Sequence, residues 1–174
     1  MNLPDRQLGP TGRKVAPIGF GAWAIGGSWG DVSEEDAKAT LGAALDAGVT
    51  FVDTADVYGA GRSEAQVGHF LKGPGAGSVV ATKVGRTAML YPNSYNRGDV
   101  ADHLRASASR LGVETLDLVQ LHCVPTGVLE DGSLFSIMDD LVEEGLTAHW
   151  GASVETLAEA RICLNYLSVP RLKI

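Results

Sequence analysis

Cysteine is scarce in this 174-residue chain: Cys123 and Cys163 are the only two. Neither stands in a CxxC pair or beside a histidine cluster, which argues against a disulfide framework or a metal centre and for free thiols in a reducing compartment. Runs of Lys or Arg are also missing from a chain of net charge -7, which makes nucleic acid and anionic membrane surfaces poor partners. No apolar stretch is long enough to span a bilayer, and the charged residues 1–13 hold no apolar core of a secretory leader, so a cytoplasmic location without membrane attachment is expected. Two glycine-rich segments also lack what a nucleotide loop needs. Gly19 and Gly21 are followed by Gly26 and Gly27 at the wrong spacing for a dinucleotide fingerprint, and the cluster at residues 73–77 has no GK[ST] after it.

What is present is enough apolar residue, 45% of the total, for one substantial core, and a single domain over residues 1–174 is expected. The stretch FVDTADVYG at residues 51–59 organises the rest. Phe51 and Val52 end a β-favouring run, Asp53 closes it with a carboxylate, and Tyr58 follows beside Gly59. Alone, such an Asp is more often a helix cap. The pattern recurs, however: the apolar run from Val79 ends in Lys83, and the run from Leu116 ends in His122. If those strands are parallel, the three ionisable ends share one edge of the sheet, where α/β folds place their chemistry.

In chain order, a turn-rich segment between Leu8 and Val15 predicts a short β-hairpin, and residues 17–23 a first strand opening into a glycine-rich loop. Ser33 with three acids behind it caps a helix whose apolar face is Ala37, Leu41, Ala44 and Leu45. Ser63 is the expected cap of a second helix, burying Val67, Phe70 and Leu71, and Asp99 that of a third, burying Val100, Leu104, Ala108 and Leu111. Between them the long loop 85–98 carries Arg86, Tyr91 and Tyr95, and loops of that length are usually functional. A helix over 134–144, a strand over 148–153, a helix over 154–167 and the start of a further strand over 169–174 complete the pattern. Alternating β and α units predict a parallel sheet, either open with five or six strands or part of a closed barrel. An eight-unit barrel takes ~250 residues, so five units would be only a part of one.

The motifs RxLGxTG at residues 6–12, GFGAW at 19–23 and DTADxYG at 53–59 followed by Ser63 and Glu64, together with Lys83 and LDLVQLH at 116–122, resemble the aldo-keto reductases, over residues 6 to about 157 and in the right order. The resemblance implies a (β/α)8 TIM barrel, here about its first five units after an N-terminal hairpin, and NADPH-dependent reduction of aldehydes or ketones. It also implies a catalytic tetrad of Asp53, Tyr58, Lys83 and His122, with Gly21, Ala22, Trp23, Asp53 and Ser153 toward the cofactor and Trp23, Tyr58 and His122 toward a small carbonyl substrate. In that scheme Tyr58 donates the proton, Lys83 and Asp53 tune it, and His122 orients the carbonyl. Trp29 and Tyr95 are candidates, with Trp23, for an apolar wall.

Two departures stand out. Many members carry Ser-Asn where this chain has Ser153 and Val154, which touches the grip on the nicotinamide. The chain is also expected to lack the later strands and the phosphate-binding segment, which leaves NADPH against NADH open, makes the isolated chain weak or inactive, and leaves two barrel edges free for self-association. Two other readings remain: a cofactor-binding or regulatory half-barrel without turnover, and a lyase in which Lys83 forms a Schiff base.

Overall fold

The structure, a computed structural model, describes residues 4–27 and 29–167. Ahead of the main sheet, β1 (Arg6–Gln7) and β2 (Lys14–Val15) pair antiparallel, and the Thr11 hydroxyl donates to the Leu8 carbonyl at 2.6 Å inside the turn. The expected hairpin is therefore present. Five further strands then form one sheet: β3 (Phe20–Gly21), β4 (Phe51–Asp53), β5 (Val79–Val84), β6 (Leu118–His122) and β7 (Trp150–Ser153). Every neighbouring pair is parallel, and the spatial order is the chain order. An open doubly wound sheet reverses its strand order at a switch point, whereas a barrel adds each strand beside the last. The unreversed order here is that of a barrel, of which the described residues supply five strands.

Helices cover this sheet as the apolar spacing predicts. In α1 (Glu34–Asp46) the Ser33 hydroxyl accepts the Asp36 N–H at 3.0 Å, three acids occupy the first turn, and Ala37 and Leu41 are buried, with Ala44 and Leu45 half-buried. Val67 and Phe70 are the buried stripe of α2 (Arg62–Leu71), and all four expected residues of α3 (Arg97–Leu111) lie in the core. All six positions of β5 are buried, as expected of a strand covered on both faces. Among the described residues, no helix is long and apolar enough to cross a membrane.

Local reading fails at two of the caps. Ser63 lies inside α2, whose N-cap is Gly61, because its hydroxyl donates instead to the Ala22 carbonyl at 2.6 Å. Asn96, not Asp99, caps α3; its side-chain oxygen accepts the Asp99 N–H at 3.0 Å. A short helix missed in the sequence, α4 (Thr126–Asp131), precedes α5 (Ser133–Glu143) and buries only Leu129, too little for a helical period to register. The last described helix, α6 (Leu157–Leu167), starts three residues later than expected, since the Glu159 carboxylate accepts the N–H groups of Glu155 and Thr156 and fixes the helix start there. Loop 85–96 is anchored at two points: Leu90 is fully buried and the Tyr95 hydroxyl donates to the Gly85 carbonyl at 2.9 Å. The strand expected over 169–174 lies outside the described residues.

Candidate active site

Because all five strands run the same way, their C-terminal ends share one edge of the sheet. Gly21 pairs in register with Asp53, Lys83 with Gln120, and His122 with Ser153. The edge is thus built from the residues at which each apolar run stops. Lys83 is the hub. Its Nζ donates to Asp53 Oδ1 at 2.5 Å, to the Thr54 carbonyl at 2.9 Å and to the Tyr58 hydroxyl at 3.2 Å. Three acceptors for three N–H bonds is the environment of an ammonium, not of an amine nucleophile, which disfavours Schiff-base chemistry at Lys83. With only 6% of its side chain exposed, that ammonium would be costly without a partner, and the Asp53 carboxylate supplies one. The second Asp53 oxygen accepts from Gln120 Nε2 at 3.2 Å. Gln120 was not singled out in the sequence, although two residues before His122 on the same strand it faces the same side.

Tyr58 is held by packing on both sides. Trp23 stacks on its ring at a centroid distance of 5.7 Å, and His122 meets it edge-on at 5.8 Å. Trp29 packs on Trp23 at 5.0 Å, so those two rings do form an exposed aromatic shelf, Trp29 73% and Trp23 47% exposed. Tyr95, expected in the same wall, instead turns its hydroxyl to Gly85, and burial pushes that hydroxyl up to about 12. Behind Tyr58 the chain comes very close to the loop after β3: a Cβ on Gly59, whose φ is 61°, would lie 2.1 Å from the Gly26 carbonyl oxygen. Only glycine fits that position.

Below the tyrosine loop lies a polar network. Ser63 spends its one proton on Ala22, so the Thr54 hydroxyl donates to Ser63 Oγ at 2.8 Å. Glu64, wholly buried, accepts from the Thr82 hydroxyl at 2.5 Å and from Arg110 Nε at 2.6 Å. These contacts join β3, α2, β5 and α3 directly beneath the site. In the sequence Ser63 reads as a helix cap and a letter of the motif and Glu64 as a letter of the motif alone, while Thr82 and Arg110 give no signal.

His122 is 8% exposed and its Nδ1 is buried with no hydrogen-bond partner among the described residues. Burial, then the charges of Lys83 and Arg86, push the imidazole down to about 4, against a smaller opposite pull from Asp53. It is therefore neutral at pH 7, able to donate from one ring nitrogen without bringing a second cation to the site. On the flanks, the Ala22 N–H donates to the Asp53 carbonyl at 2.8 Å, Gly21 has open space where a Cβ would stand, and half-buried Ser153 lies beside His122.

Sequential parallel strands carrying this constellation define the first part of a (β/α)8 barrel. The model of the Aldo/keto reductase family matches residues 17–171. The aldo-keto reductase YhdN of Bacillus subtilis is 34% identical over 155 residues, which is 84% of this chain and 46% of that protein. L-galactose dehydrogenase of Arabidopsis thaliana is 35% identical over 151 residues, 84% of this chain and 47% of its own. Among solved structures, an aldo-keto reductase of Bacillus halodurans in its holo form superposes with a TM-score of 0.74 at 28% identity, covering 86% of this chain and 50% of that one. The chain belongs to the aldo/keto reductase family, and it spans about half the length of the curated relatives it matches.

Proposed function

We propose that the protein is an oxidoreductase that reduces an aldehyde or ketone to the alcohol with NADPH, using Tyr58 as proton donor. The observation that carries this reading is the single ammonium, Lys83 Nζ, shared between the Asp53 carboxylate and the Tyr58 hydroxyl at the ends of neighbouring strands. Family membership and the dehydrogenase and reductase names of the relatives support the same class.

The residues present fit a nicotinamide: open space at Gly21, the exposed face of Trp23 and the Ser153 side chain flank the four polar residues on two sides. When bound, the cofactor supplies the hydride. A carbonyl that receives a hydride becomes an alkoxide, which needs a proton and, until it arrives, a compensating donor. Tyr58 O–H gives the proton. The charge left on the phenolic oxygen is met by the Lys83 N–H already aimed at it, and Asp53 keeps that ammonium in place. Neutral His122 donates to the carbonyl oxygen and sets its direction, while the Trp23 and Trp29 shelf covers the apolar part of the substrate. The two free thiols suit a reducing cytoplasm. At the two ends of the sheet, β3 and β7 each have one side without a strand partner among the described residues, and we propose that pairing there supports self-association.

The test is a fluorescence titration with NADPH together with a steady-state assay on a panel of aldehydes, for the chain and for Tyr58→Phe. Turnover that falls at least 100-fold in Tyr58→Phe, with cofactor affinity unchanged, is the expected result, within the ~10²–10⁴ range of general acid catalysis. Cofactor binding without turnover in the unaltered chain would instead support a regulatory half-barrel, and no binding at all would refute both.

A further inference from the structure

Outside the four residues above, one buried acid has no assigned task. Asp56 lies in the turn that carries Tyr58: the Tyr58 N–H donates to the Ala55 carbonyl at 3.2 Å, and the Asp56 N–H donates to the Lys83 carbonyl at 3.3 Å. Its side chain is 2% exposed, and neither carboxyl oxygen has a partner of hydrogen-bond geometry among the described residues. A carboxylate is not left so by chance, because an unpaired buried charge is expensive. His103 Nδ1 of α3 lies 3.4 Å from Oδ2, and the other nitrogen of that ring, Nε2, lies 3.2 Å from Thr87 Oγ1. Asp56, His103 and Thr87 thus line up across the tyrosine turn, α3 and the loop that follows Lys83.

We propose that Asp56, His103 and Thr87 form a proton-sharing strut, buried at its Asp56 end, that positions Tyr58 against Lys83, and that His103 changes tautomer when the strut loses its proton. In the protonated state the Asp56 O–H donates to Nδ1 and the His103 Nε2–H donates to Thr87 Oγ1. On deprotonation the Asp56 O–H bond breaks and one proton goes to solvent. The ring proton then sits on Nδ1, donating to the carboxylate, and the Thr87 hydroxyl donates to Nε2. The ring stays neutral throughout. The surrounding charges agree with this. Burial first, then Glu64 of α2, raise Asp56 from 3.8 to about 7, against the Val57 N–H, Arg110 of α3 and its own N–H, which lower it. Burial and Arg110 lower His103, against Asp99, Asp102 and Glu64. Lys83 meets the turn through its backbone carbonyl, its ammonium being committed to Asp53, Thr54 and Tyr58. Asp56 and His103 are positioning residues here; neither touches the reacting atoms.

The inference rests on reading Tyr58 as the proton donor, so its test does not require turnover. The full chain, with ¹⁵N-labelled histidines and ¹³C-labelled tyrosines, is titrated from pH 5.5 to 9 by long-range ¹H–¹⁵N correlation, with His103 assigned from the signal missing in His103→Gln. His103 should remain neutral and exchange its Nε2–H form for its Nδ1–H form with a midpoint near 7, and the Tyr58 ring signals should shift with the same midpoint. In Asp56→Asn, whose amide mimics the protonated acid, the Nε2–H form should persist at every pH and the Tyr58 inflection should vanish. A His103 that becomes an imidazolium with an ordinary midpoint, a constant tautomer in the unaltered chain, or a Tyr58 inflection that survives Asp56→Asn would each overturn the strut. The titration of the unaltered chain decides the matter even where Asp56→Asn fails to fold. A chain without reductase activity that shows the tautomer exchange keeps the strut and loses the proposed function, and the reverse result does the opposite.

Discussion

Arg110→Met should be among the most damaging single changes away from the reacting atoms. Glu64 is 0% exposed and holds two partners, Arg110 Nε at 2.6 Å and the Thr82 hydroxyl at 2.5 Å. Methionine preserves the aliphatic stem but leaves the carboxylate with one neutral donor. Breaking a buried pair from one side costs ~3–5 kcal/mol. The lower figure applies, about 3 kcal/mol, because the arginine side chain is 30% exposed and water can reach the vacated end. Against a total stability of ~5–15 kcal/mol that is a large fraction. With a urea slope of about 2 kcal/mol per molar, the midpoint should fall by roughly 1.5 M at pH 7. Tryptophan fluorescence reads the transition. The double variant Glu64→Gln with Arg110→Met removes both charges and should recover most of the loss, since no unpaired charge then stays buried. A fall below about 1 kcal/mol, or a double variant no better than Arg110→Met alone, would refute the view that this pair locks α2 and α3.

Two other predictions concern packing and pH. A Cβ on Gly68 would stand 2.2 Å from the Arg110 carbonyl oxygen, a backbone atom that cannot swing aside, so Gly68→Ala must push α2 from α3. It should cost ~1–3 kcal/mol and lower Tm by roughly 3–10 °C, measured by circular dichroism; an unchanged Tm would show that the helices are not in this contact. Stability should also respond to pH from two sides. For His122 the folded value of about 4 lies below the ordinary 6.5, so the unfolded chain takes up the proton first and stability is lost as pH falls through that window, by up to ~3 kcal/mol; His122→Gln should flatten this limb. For Asp56 the folded value of about 7 lies above 3.8, so stability is lost as pH rises between them, by up to ~4 kcal/mol, and Asp56→Asn should gain on the unaltered chain at pH 8 relative to pH 4. Urea midpoints across pH 4–8 check both, and parallel profiles for the variants and the unaltered chain would rule them out.

The parts of the fold legible in the sequence are those set by period. Val79 to Thr82 reads as a buried strand because three apolar residues and a β-branched threonine run together and stop at Lys83, and α3 reads as a helix because Val100, Leu104, Ala108 and Leu111 recur on one face. Asp53, Lys83 and His122 were legible for the same reason, since each interrupts an apolar run at the strand end. What was not legible is set by partners distant in the chain. A Ser before an apolar stripe is a good cap by local rules, but Ser63 finds a carbonyl 41 residues away and abandons the role. His103 on its helix looks like any half-buried polar residue until the turn after β4 brings Asp56 beside it.

The same distinction explains why the motif at residues 53–64 signals more than its length suggests. Its polar and glycine positions meet elements outside the motif. Asp53 and Tyr58 bond Lys83 of β5, Gly59 lies against Gly26 of the loop after β3, and Ser63 reaches Ala22 at the end of β3. Glu64 reaches Thr82 of β5 and Arg110 of α3, and Asp56 faces His103 of α3. Read locally, those letters resemble a strand, a cap and a turn, which many loops could supply. Their specificity is tertiary: the tyrosine sits within reach of the lysine because the residues around it are fastened to β3, β5 and α3. Loosening any one of these fastenings should therefore weaken the Lys83–Tyr58 contact even where Tyr58, Lys83, Asp53 and His122 are all retained.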